Sequence, residues 1–221
     1  MSRTGQRTRV KVCCIASIEE AWLAIDAGAD AIGLVSKMPS GPGTIPDESI
    51  AEIAARIPPG VETVLLTSRT DTDRIAEHHA LCRTTTIQLV DHVEPDDHAA
   101  LRQLLPGVRL MQVIHVIDAD SVAQAQAAGE HCHAVLLDSG NPNAAVKELG
   151  GTGRVHDWDL SQRIVESCGV PVFLAGGLNP INAAQAVSRV GPFGLDVCTG
   201  LRTNNRLAPQ KLTAIFAAIG R

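Results

Sequence analysis

The sequence predicts a single (β/α)8 barrel, and three observations support this fold class. Short apolar runs alternate with longer amphipathic stretches along the chain, as in repeated βα units around a parallel sheet. The chain has 221 residues, a length at which such a barrel commonly forms one domain. Apolar residues make up 45% and aromatic residues 2%, so the core must be mainly aliphatic. We expect one domain over residues 1–221, with residues 1–8 as a flexible N-terminal extension.

The first half of the chain contains four predicted strand and helix pairs. Ser17 is placed to cap the first helix and Gly28 to end it. Pro46 suits the first turn of the second helix, where an amide hydrogen is not needed. The fourth strand follows a run of threonines and is the most polar. The predicted strands are Val10–Ile15, Ala31–Val35, Val61–Thr67 and Thr86–Leu89, and the predicted helices are Ile18–Ala27, Pro46–Ile57, Asp71–Ala80 and Pro95–Leu105.

The second half of the chain repeats the pattern with four more pairs. The predicted strands are Arg109–Ile114, Ala134–Leu137, Val170–Ala175 and Gly194–Cys198, and the predicted helices are Ala119–Ala128, Asp157–Cys168, Pro180–Val190 and Pro209–Ile219. Strict alternation of strands and helices favours a closed barrel, because an open sheet of this length would have fewer strands and two exposed edges.

Two loops are unusually long, and both follow strands. Residues 36–45 are rich in glycine and proline, and residues 139–157 contain the sequence GGTG. Loops that follow the strands of a barrel open on its C-terminal face, where the active sites of barrel enzymes lie. Long loops in a compact domain are commonly functional or disordered. These two loops therefore mark the face on which we expect a ligand.

The composition argues against several other classes of protein. The net charge is −5 and the chain has no basic run, so the electrostatic footprint of a nucleic-acid binder is missing. No apolar stretch approaches the ~20 residues that cross a bilayer. The N-terminal segment MSRTGQRTRV has no apolar region typical of a secretory signal. We expect a cytoplasmic protein that binds neither nucleic acid nor membranes.

The cysteines and histidines do not suggest a metal site. The six cysteines are scattered, and Cys13 and Cys14, as sequence neighbours, make a poor disulfide. We expect mostly buried thiols in a reducing compartment, and neither a metal nor a cofactor. His115 follows strand five and is a candidate for the barrel mouth. The histidines expected to be solvated, on or near helices three and four, are His78, His79, His92 and His98.

Glycine clusters after the last three strands suggest a phosphate site. Glycine lets backbone N–H groups approach an anion, and helix N-termini add a favourable dipole. Barrel phosphate sites are typically built from the loops after strands seven and eight. Tight turns without a ligand are the alternative. The candidate phosphate-binding residues are Gly151, Thr152, Gly153, Gly176, Gly177, Thr199 and Gly200.

Asp138 and Cys13 are the candidates for acid–base chemistry. Asp138 ends strand six, and a carboxylate there faces the mouth of a barrel. Cys13 lies at the end of strand one, and strand alternation sends Cys13 and Cys14 to opposite faces. Lys11 shares the parity of Cys13 and could lower the pKa of its thiol. The alternatives are a loop-capping aspartate and a buried cysteine that only fills space.

These motifs, in this order, resemble the phosphoribosylanthranilate isomerase family of tryptophan biosynthesis. The combination of VLLDS, GGTG and LAGGLNP is the most specific part of the resemblance. The matching segments span nearly the whole chain and are VKVCCI (10–15), AGADAIGLV (27–35), IQL (87–89), VLLDS (135–139), GGTG (150–153), HDW (156–158), VFLAGGLNP (172–180) and GPFGLDVCTG (191–200).

The resemblance implies a cofactor-independent Amadori rearrangement of a phosphoribosylamine. A family aspartate at the end of strand six protonates the furanose oxygen, and Asp138 occupies that place. A family cysteine at the end of strand one removes the C2′ proton, and Cys13 occupies that place. An acid and a base on either side of one sugar suit this chemistry when their pKa values are tuned. The glycine loops match the family's phosphate cradle.

The chain departs from the family pattern around the aglycone. The family usually reads Cys-Gly-Ile-Thr at strand one, where this chain has a second cysteine, Cys14. The family's loop after strand two carries an arginine that holds the anthranilate carboxylate, and the matching stretch here is Gly41-Pro42-Gly43. Val90 and Asp91 replace a His-Gly pair after strand four. Arg202 follows strand eight where the family often has a glutamate.

Three function hypotheses follow from the sequence. The first is isomerisation of N-(5′-phosphoribosyl)anthranilate by Cys13 as base and Asp138 as acid. The second is the same reaction on a different phosphoribosylamine, and the third is a non-catalytic barrel that binds a sugar phosphate. In all three the partner is a small phosphorylated sugar, and the protein is a monomer or a homodimer. If the aglycone carries a carboxylate, Arg69 is the candidate to bind it, ahead of Lys37 and Arg202.

Overall fold

The computed structural model describes residues 7–140 and 156–221, and these form a closed barrel of eight parallel strands. The barrel closes where Val10 of the first strand pairs with Leu195 of the eighth. The strands are β1 (Arg9–Val12), β2 (Ala31–Val35), β3 (Glu62–Thr67), β4 (Thr86–Leu89), β5 (Arg109–His115), β6 (Ala134–Asp138), β7 (Val172–Leu174) and β8 (Gly194–Val197). The fold class predicted from the sequence is confirmed.

Within the described part of the chain, eight helices surround the barrel, one after each of β1 to β8 in chain order. They are α1 (Ile18–Asp26), α2 (Asp47–Ala54), α3 (Thr72–Cys82), α4 (Pro95–Leu104), α5 (Asp120–His131), α6 (Trp158–Ser167), α7 (Ala183–Val190) and α8 (Pro209–Ala218). A 3-10 helix (Thr199–Leu201) and a small hairpin of β9 (Arg202–Thr203) and β10 (Arg206–Leu207) lie between β8 and α8. The sequence pattern did not predict this hairpin.

Local chemistry explains most element boundaries. Ser17 caps α1 as expected, because its side chain accepts a hydrogen bond from the Glu20 amide. Helix α7 begins later than predicted, because the Asn182 side chain accepts from the Asn179 amide and holds a turn there. Strand β1 ends at Val12, three residues earlier than predicted, and Cys14 adopts a left-handed φ of 63°.

The hydrophobic core has two layers. The outer layer packs the helices against the strands and contains Val10, Ile32, Leu65 and Leu195, all fully buried. The inner layer fills the barrel with side chains of the other strand parity, such as Met111. Both layers are mainly aliphatic, as the composition predicted. Within the described ranges, no helix has the length and apolar character needed to cross a bilayer.

Two of the histidines expected to be solvated are buried. His78 and His98 are each 2% exposed, so that prediction is wrong for them. His98 bonds Gln112 of β5, and His78 bonds Thr67 of β3 and Asp47 of α2. Burial lowers the pKa of both rings. These partners come from neighbouring elements, which a helix pattern alone does not reveal.

Candidate active site

A cavity opens at the C-terminal ends of the strands, on the face that the sequence predicted. We call it the mouth cavity. Its walls come from strand ends and from the loops after β1, β2, β7 and β8. Its lining residues are Cys13, Cys14, Val35, Met38, Ser40, Gly41, Pro42, Leu66, Gln88, Val90, Leu136, Asp138, Ala175, Gly176, Gly177, Leu178, Asp196, Cys198 and Thr199.

Asp138 is a buried acid in the wall of the mouth cavity. It is the last residue of β6 and is 7% exposed. The pKa of its carboxyl is raised to about 6, mainly by burial and in smaller part by the nearby charge of Asp196. The Ser139 amide donates to Oδ1 at 2.8 Å and opposes this rise. The result is a carboxyl that holds its proton far closer to neutral pH than an exposed aspartate does.

Cys13 is a buried thiol in the same cavity. It is 5% exposed, and burial raises the pKa of its thiol to about 11. The positive charge of Lys11 opposes this rise, since it stabilises the thiolate. Gly33 of β2 leaves the space for these groups, because a Cβ there would lie 2.7 Å from Cys13 Sγ and 3.0 Å from Lys11 Nζ.

Lys11 and Asp196 form an ion pair beside the thiol. Lys11 Nζ lies 2.8 Å from Asp196 Oδ1, and the lysine side chain is fully buried. Burial alone would lower the pKa of Lys11, but Asp196 and Cys13 raise it above its usual value. The ammonium therefore stays charged inside the barrel. The sequence pattern indicated Lys11 but not Asp196, which becomes its partner only when β1 pairs with β8.

The expectation that Cys13 and Cys14 point to opposite faces is wrong. Both side chains line the mouth cavity. Strand alternation no longer applies at this point, because β1 has ended at Val12 and Cys14 has a φ of 63°.

Cys14 forms a disulfide with Cys198, although the sequence pattern predicted mostly buried thiols and no disulfide. The bond joins the loop after β1 to the loop after β8 and spans 184 residues of sequence. The other four cysteines, Cys13, Cys82, Cys132 and Cys168, are free thiols. Spacing could not reveal this pair, because only barrel closure brings the ends of β1 and β8 together.

Three of the predicted phosphate-binding residues, Gly176, Gly177 and Thr199, line one side of the mouth cavity. Gly176 and Gly177 have φ values of 80° and 64°, which residues with a side chain rarely adopt. Gly200 packs so closely on the backbone that a Cβ there would overlap the Leu178 carbonyl oxygen. Gly151, Thr152 and Gly153 lie outside the described residues.

The three cations proposed for a carboxylate do not line the mouth cavity. Arg202 grips Glu20 with two hydrogen bonds of 3.0 and 2.8 Å and also donates to the Cys14 carbonyl. Arg69 donates through Nη1 to the Arg74 carbonyl at 3.0 Å. Lys37 is exposed. Arg202 is therefore committed to the fold, whereas Arg69 uses only part of its guanidinium in this contact.

Gln88 is a cavity residue to which the sequence analysis gave no role. It lies on β4 and is 3% exposed. Its Oε1 atom is buried and has no hydrogen-bond partner among the described residues. A buried polar atom without a partner carries a free-energy penalty, which a bound ligand can remove. The motif IQL holds this residue, and the even spacing from Thr86 would have indicated an inward side chain.

One group of side chains outside the mouth has the chemistry of metal ligands. Ligand atoms of Asp47, His78 and Cys82 lie within 4.8 Å of one another, between α2 and α3. Both ring nitrogens of His78 already have partners, with Nδ1 3.0 Å from the Thr67 hydroxyl and Nε2 3.1 Å from Asp47. Hydrogen bonds therefore occupy both nitrogens of this ring. They link β3, α2 and α3.

Comparison with known proteins places the chain in one family. The model of the N-(5′-phosphoribosyl)anthranilate isomerase family matches residues 10–217. The enzyme of that name from Methanocella arvoryzae is 32% identical over 209 residues, which cover 95% of this chain and 96% of the relative. The one from Natronomonas pharaonis is 38% identical over 199 residues, which cover 90% of each chain.

Solved structures share the fold. A phosphoribosylanthranilate isomerase in complex with reduced 1-(o-carboxyphenylamino)-1-deoxyribulose 5-phosphate superimposes with a TM-score of 0.78 at 22% identity. The match covers 96% of this chain and 98% of that protein. At this identity the likeness supports the barrel fold alone, whereas the family rests on the sequence matches. The chain belongs to the N-(5′-phosphoribosyl)anthranilate isomerase family.

Proposed function

We propose that this protein isomerises N-(5′-phosphoribosyl)anthranilate to the carboxyphenylamino-deoxyribulose phosphate, with Asp138 as general acid and Cys13 as general base. The observation that carries the proposal is that a buried acid and a buried thiol share one cavity with the glycine loops. The acid's raised pKa suits proton donation near neutral pH. The choice of reaction comes from membership of the N-(5′-phosphoribosyl)anthranilate isomerase family. The positions of the acid and the thiol are then used to assign their roles in it.

The first step assigned to the site is opening of the furanose ring. Protonated Asp138 donates to the ring oxygen, the C1′–O bond breaks, and the nitrogen lone pair forms an iminium with C1′. Burial favours the neutral carboxyl, which is the form that can donate a proton. The Ser139 amide donates to Oδ1 of this carboxyl.

The second step is transfer of the C2′ proton. The thiolate of Cys13 removes this proton, and the electron pair of the C–H bond forms an enolamine that tautomerises to the aminoketose. With a thiol pKa of about 11, the thiolate is a minor species at neutral pH. The fully buried ammonium of Lys11 is the group that stabilises it. Asp196 keeps this ammonium charged and in place.

Backbone amides after β7 and β8 are assigned to the 5′-phosphate. Gly176, Gly177 and Thr199 line the cavity on the side of these two strands, and Gly200 is the second residue of the 3-10 helix that begins at Thr199. Positive φ values at the two glycines support amides that point toward an anion rather than along a strand. Gly151, Thr152 and Gly153 are assigned to the same cradle from the sequence.

Arg69 is assigned to the anthranilate carboxylate. A charge bound in a closed site needs a cation or several donors. Arg202 is held by Glu20, while Arg69 has further guanidinium donors beyond the one given to the Arg74 carbonyl. The rival is a phosphoribosylamine without a carboxylate, and the observation in its favour is that no arginine of residues 7–140 and 156–221 lines the mouth cavity.

Genetic complementation and a direct assay test the proposal together. We expect the gene to restore growth without tryptophan in a strain that lacks this isomerase, and the purified protein to convert phosphoribosylanthranilate. Asp138→Asn is the matched control and should do neither while still binding inorganic phosphate. Phosphate binding by a wild-type protein that fails both tests would instead support the other substrate or the non-catalytic barrel.

A further inference from the structure

The disulfide between Cys14 and Cys198 lies in the wall of the mouth cavity rather than in the core of the fold. Both cysteines line the cavity, Cys14 next to the proposed base Cys13 and Cys198 next to Thr199. The bond thus connects the loop that carries the base to the loop assigned to the phosphate. The distance between the two Cα atoms is 5.9 Å.

Cys14 also fills the space beside the loop after β2. Its Sγ lies 3.6 Å from the Pro42 carbonyl oxygen. A Cβ at Gly43 would lie 2.5 Å from the Cys14 Cβ and 3.2 Å from its Sγ, so no side chain fits at residue 43 while Cys14 is in this position. Three loops around the cavity therefore meet at this disulfide.

The barrel itself does not depend on the disulfide at this point. The Cys13 amide donates to the Val197 carbonyl at 2.9 Å, and the Arg202 guanidinium binds the Cys14 carbonyl. These contacts keep β1 beside β8 whether or not the sulfurs are bonded. Breaking the S–S bond should therefore change the cavity wall and leave the strand pairing intact.

We propose that the Cys14–Cys198 pair is a reversible redox modification site that controls how tightly the mouth cavity binds its phosphorylated substrate. The proposal takes its substrate from the proposed function above. Unbonded sulfur atoms cannot remain at the bonded separation of about 2 Å. Reduction must move the two loops apart or rotate a thiol into the cavity, and either change disturbs the spacing between base and phosphate loop.

The chemistry needs a thiol reductant and a disulfide oxidant. A dithiol transfers two electrons to the S–S bond: its thiolate attacks one sulfur, the bond breaks, both cysteines become thiols and the reductant closes to its own disulfide. Glutathione disulfide reverses the change through a mixed disulfide and leaves as two molecules of glutathione. Cys198 is the partly exposed sulfur and Cys14 is buried, so attack comes at Cys198.

Thiol counting tests whether the pair responds. The full-length protein is incubated with glutathione disulfide or with dithiothreitol, then denatured and alkylated with iodoacetamide. We expect four alkylated cysteines in the oxidised protein, matching its four free thiols, and all six after reduction. Six alkylated cysteines under both conditions would overturn the proposal. The variant Cys168→Ser is the control and should lose one alkylation in each state.

Kinetics and phosphate binding test whether the pair matters for the site. We expect reduction to raise KM and the Kd for inorganic phosphate several-fold in the wild type and in Cys168→Ser. Cys14→Gly, which suits the left-handed φ, and Cys198→Ser should each make both constants independent of redox state. Equal constants in both redox forms of the wild type would overturn the proposal. If the protein does not isomerise phosphoribosylanthranilate, the phosphate measurement still decides.

Discussion

Each end of the barrel holds a cavity, and the two cavities differ in how their charged and polar groups are partnered. At the N-terminal end of the strands, most of the charged lining groups are held by partners within the fold. Arg7 pairs with Asp30, and Arg109 Nε lies 3.9 Å from Glu62. The guanidinium of Arg9 lies over the Phe193 ring, 5.2 Å from its centre. This end is rich in charge, yet its charges are used to hold strands, loops and the chain terminus together.

At the mouth, by contrast, burial shifts the pKa values of polar groups away from their usual range and leaves one polar atom without a hydrogen bond. Asp138 and Cys13 have raised pKa values, and Gln88 Oε1 has no partner among the described residues. The comparison teaches that the number of charged groups does not locate a site. An acid and a thiol with raised pKa values that line one cavity are a better guide, because perturbed groups that share a cleft are typical of functional sites.

The largest expected effect is a difference in kcat between a variant at the mouth and a variant at the other end of the barrel. Asp138→Asn should lower kcat by about a thousandfold or more, because a general acid contributes roughly 10²–10⁴ to the rate. Arg109→Ala, at the other end, should leave kcat within about twofold, since exposed ion pairs contribute little to stability. Steady-state kinetics of both variants checks this. Equal losses in the two variants would mean that the mouth is not the catalytic end.

The pH profile sharpens the same assignment. Catalysis needs Cys13 as thiolate and Asp138 protonated. When only one of the two groups carries a proton, this is the less populated of the two possible forms, because Cys13 has the higher pKa. Below a pH of about 6 both groups are protonated and the base is lost, and above about 11 both are ionised and the acid is lost. We expect kcat/KM to be flat between these limits and to fall about tenfold per pH unit outside them. A maximum confined to one pH unit would contradict this pairing.

A smaller effect tests the aglycone side of the mouth. Arg69→Ala should raise KM for phosphoribosylanthranilate by roughly tenfold to a hundredfold if it removes a charge-assisted hydrogen bond of ~1.5–3 kcal/mol. Arg74→Ala is the matched control, because it removes a neighbouring arginine but keeps the backbone carbonyl that Arg69 contacts. An unchanged KM in Arg69→Ala would favour a substrate without a carboxylate.

The smallest expected effects are changes in the free energy of unfolding when one carboxylate at each end of the barrel is replaced. The folded pKa of Asp138 is raised, so its favourable contribution is present at low pH and is lost as the pH rises through about 6. At pH 8 Asp138→Asn should therefore raise the free energy of unfolding, by up to about 3 kcal/mol. Asp30→Asn should lower it by ~1–3 kcal/mol, because Asp30 accepts from the Val10 amide and from Arg221. Urea unfolding at pH 8 measures both signs, and the same sign for the two variants would contradict the comparison.

Much of the fold could be read from local patterns. Ala31–Val35 was predicted with the boundaries that the structure shows, because it is a short apolar run between turn signals. The boundaries of Thr86–Leu89 also agree, although this strand is more polar. Asp138 and Cys13 were recognisable because each ends a short apolar run. Residues 36–45 were recognised as a mouth loop, and Pro42 does line the cavity.

Barrel closure decided what the local patterns could not. Asp196 became the partner of Lys11, and Cys198 the partner of Cys14, only because β8 lies beside β1. Sequence periodicity encodes which way a side chain points, but not which distant residue it meets. His78 is buried for the same reason, since its partners lie on β3 and α2. The sequence alone therefore determined the fold class, the family and the acid and base candidates, whereas the ion pair, the disulfide and the shifted pKa values arise from contacts that exist only in the closed barrel.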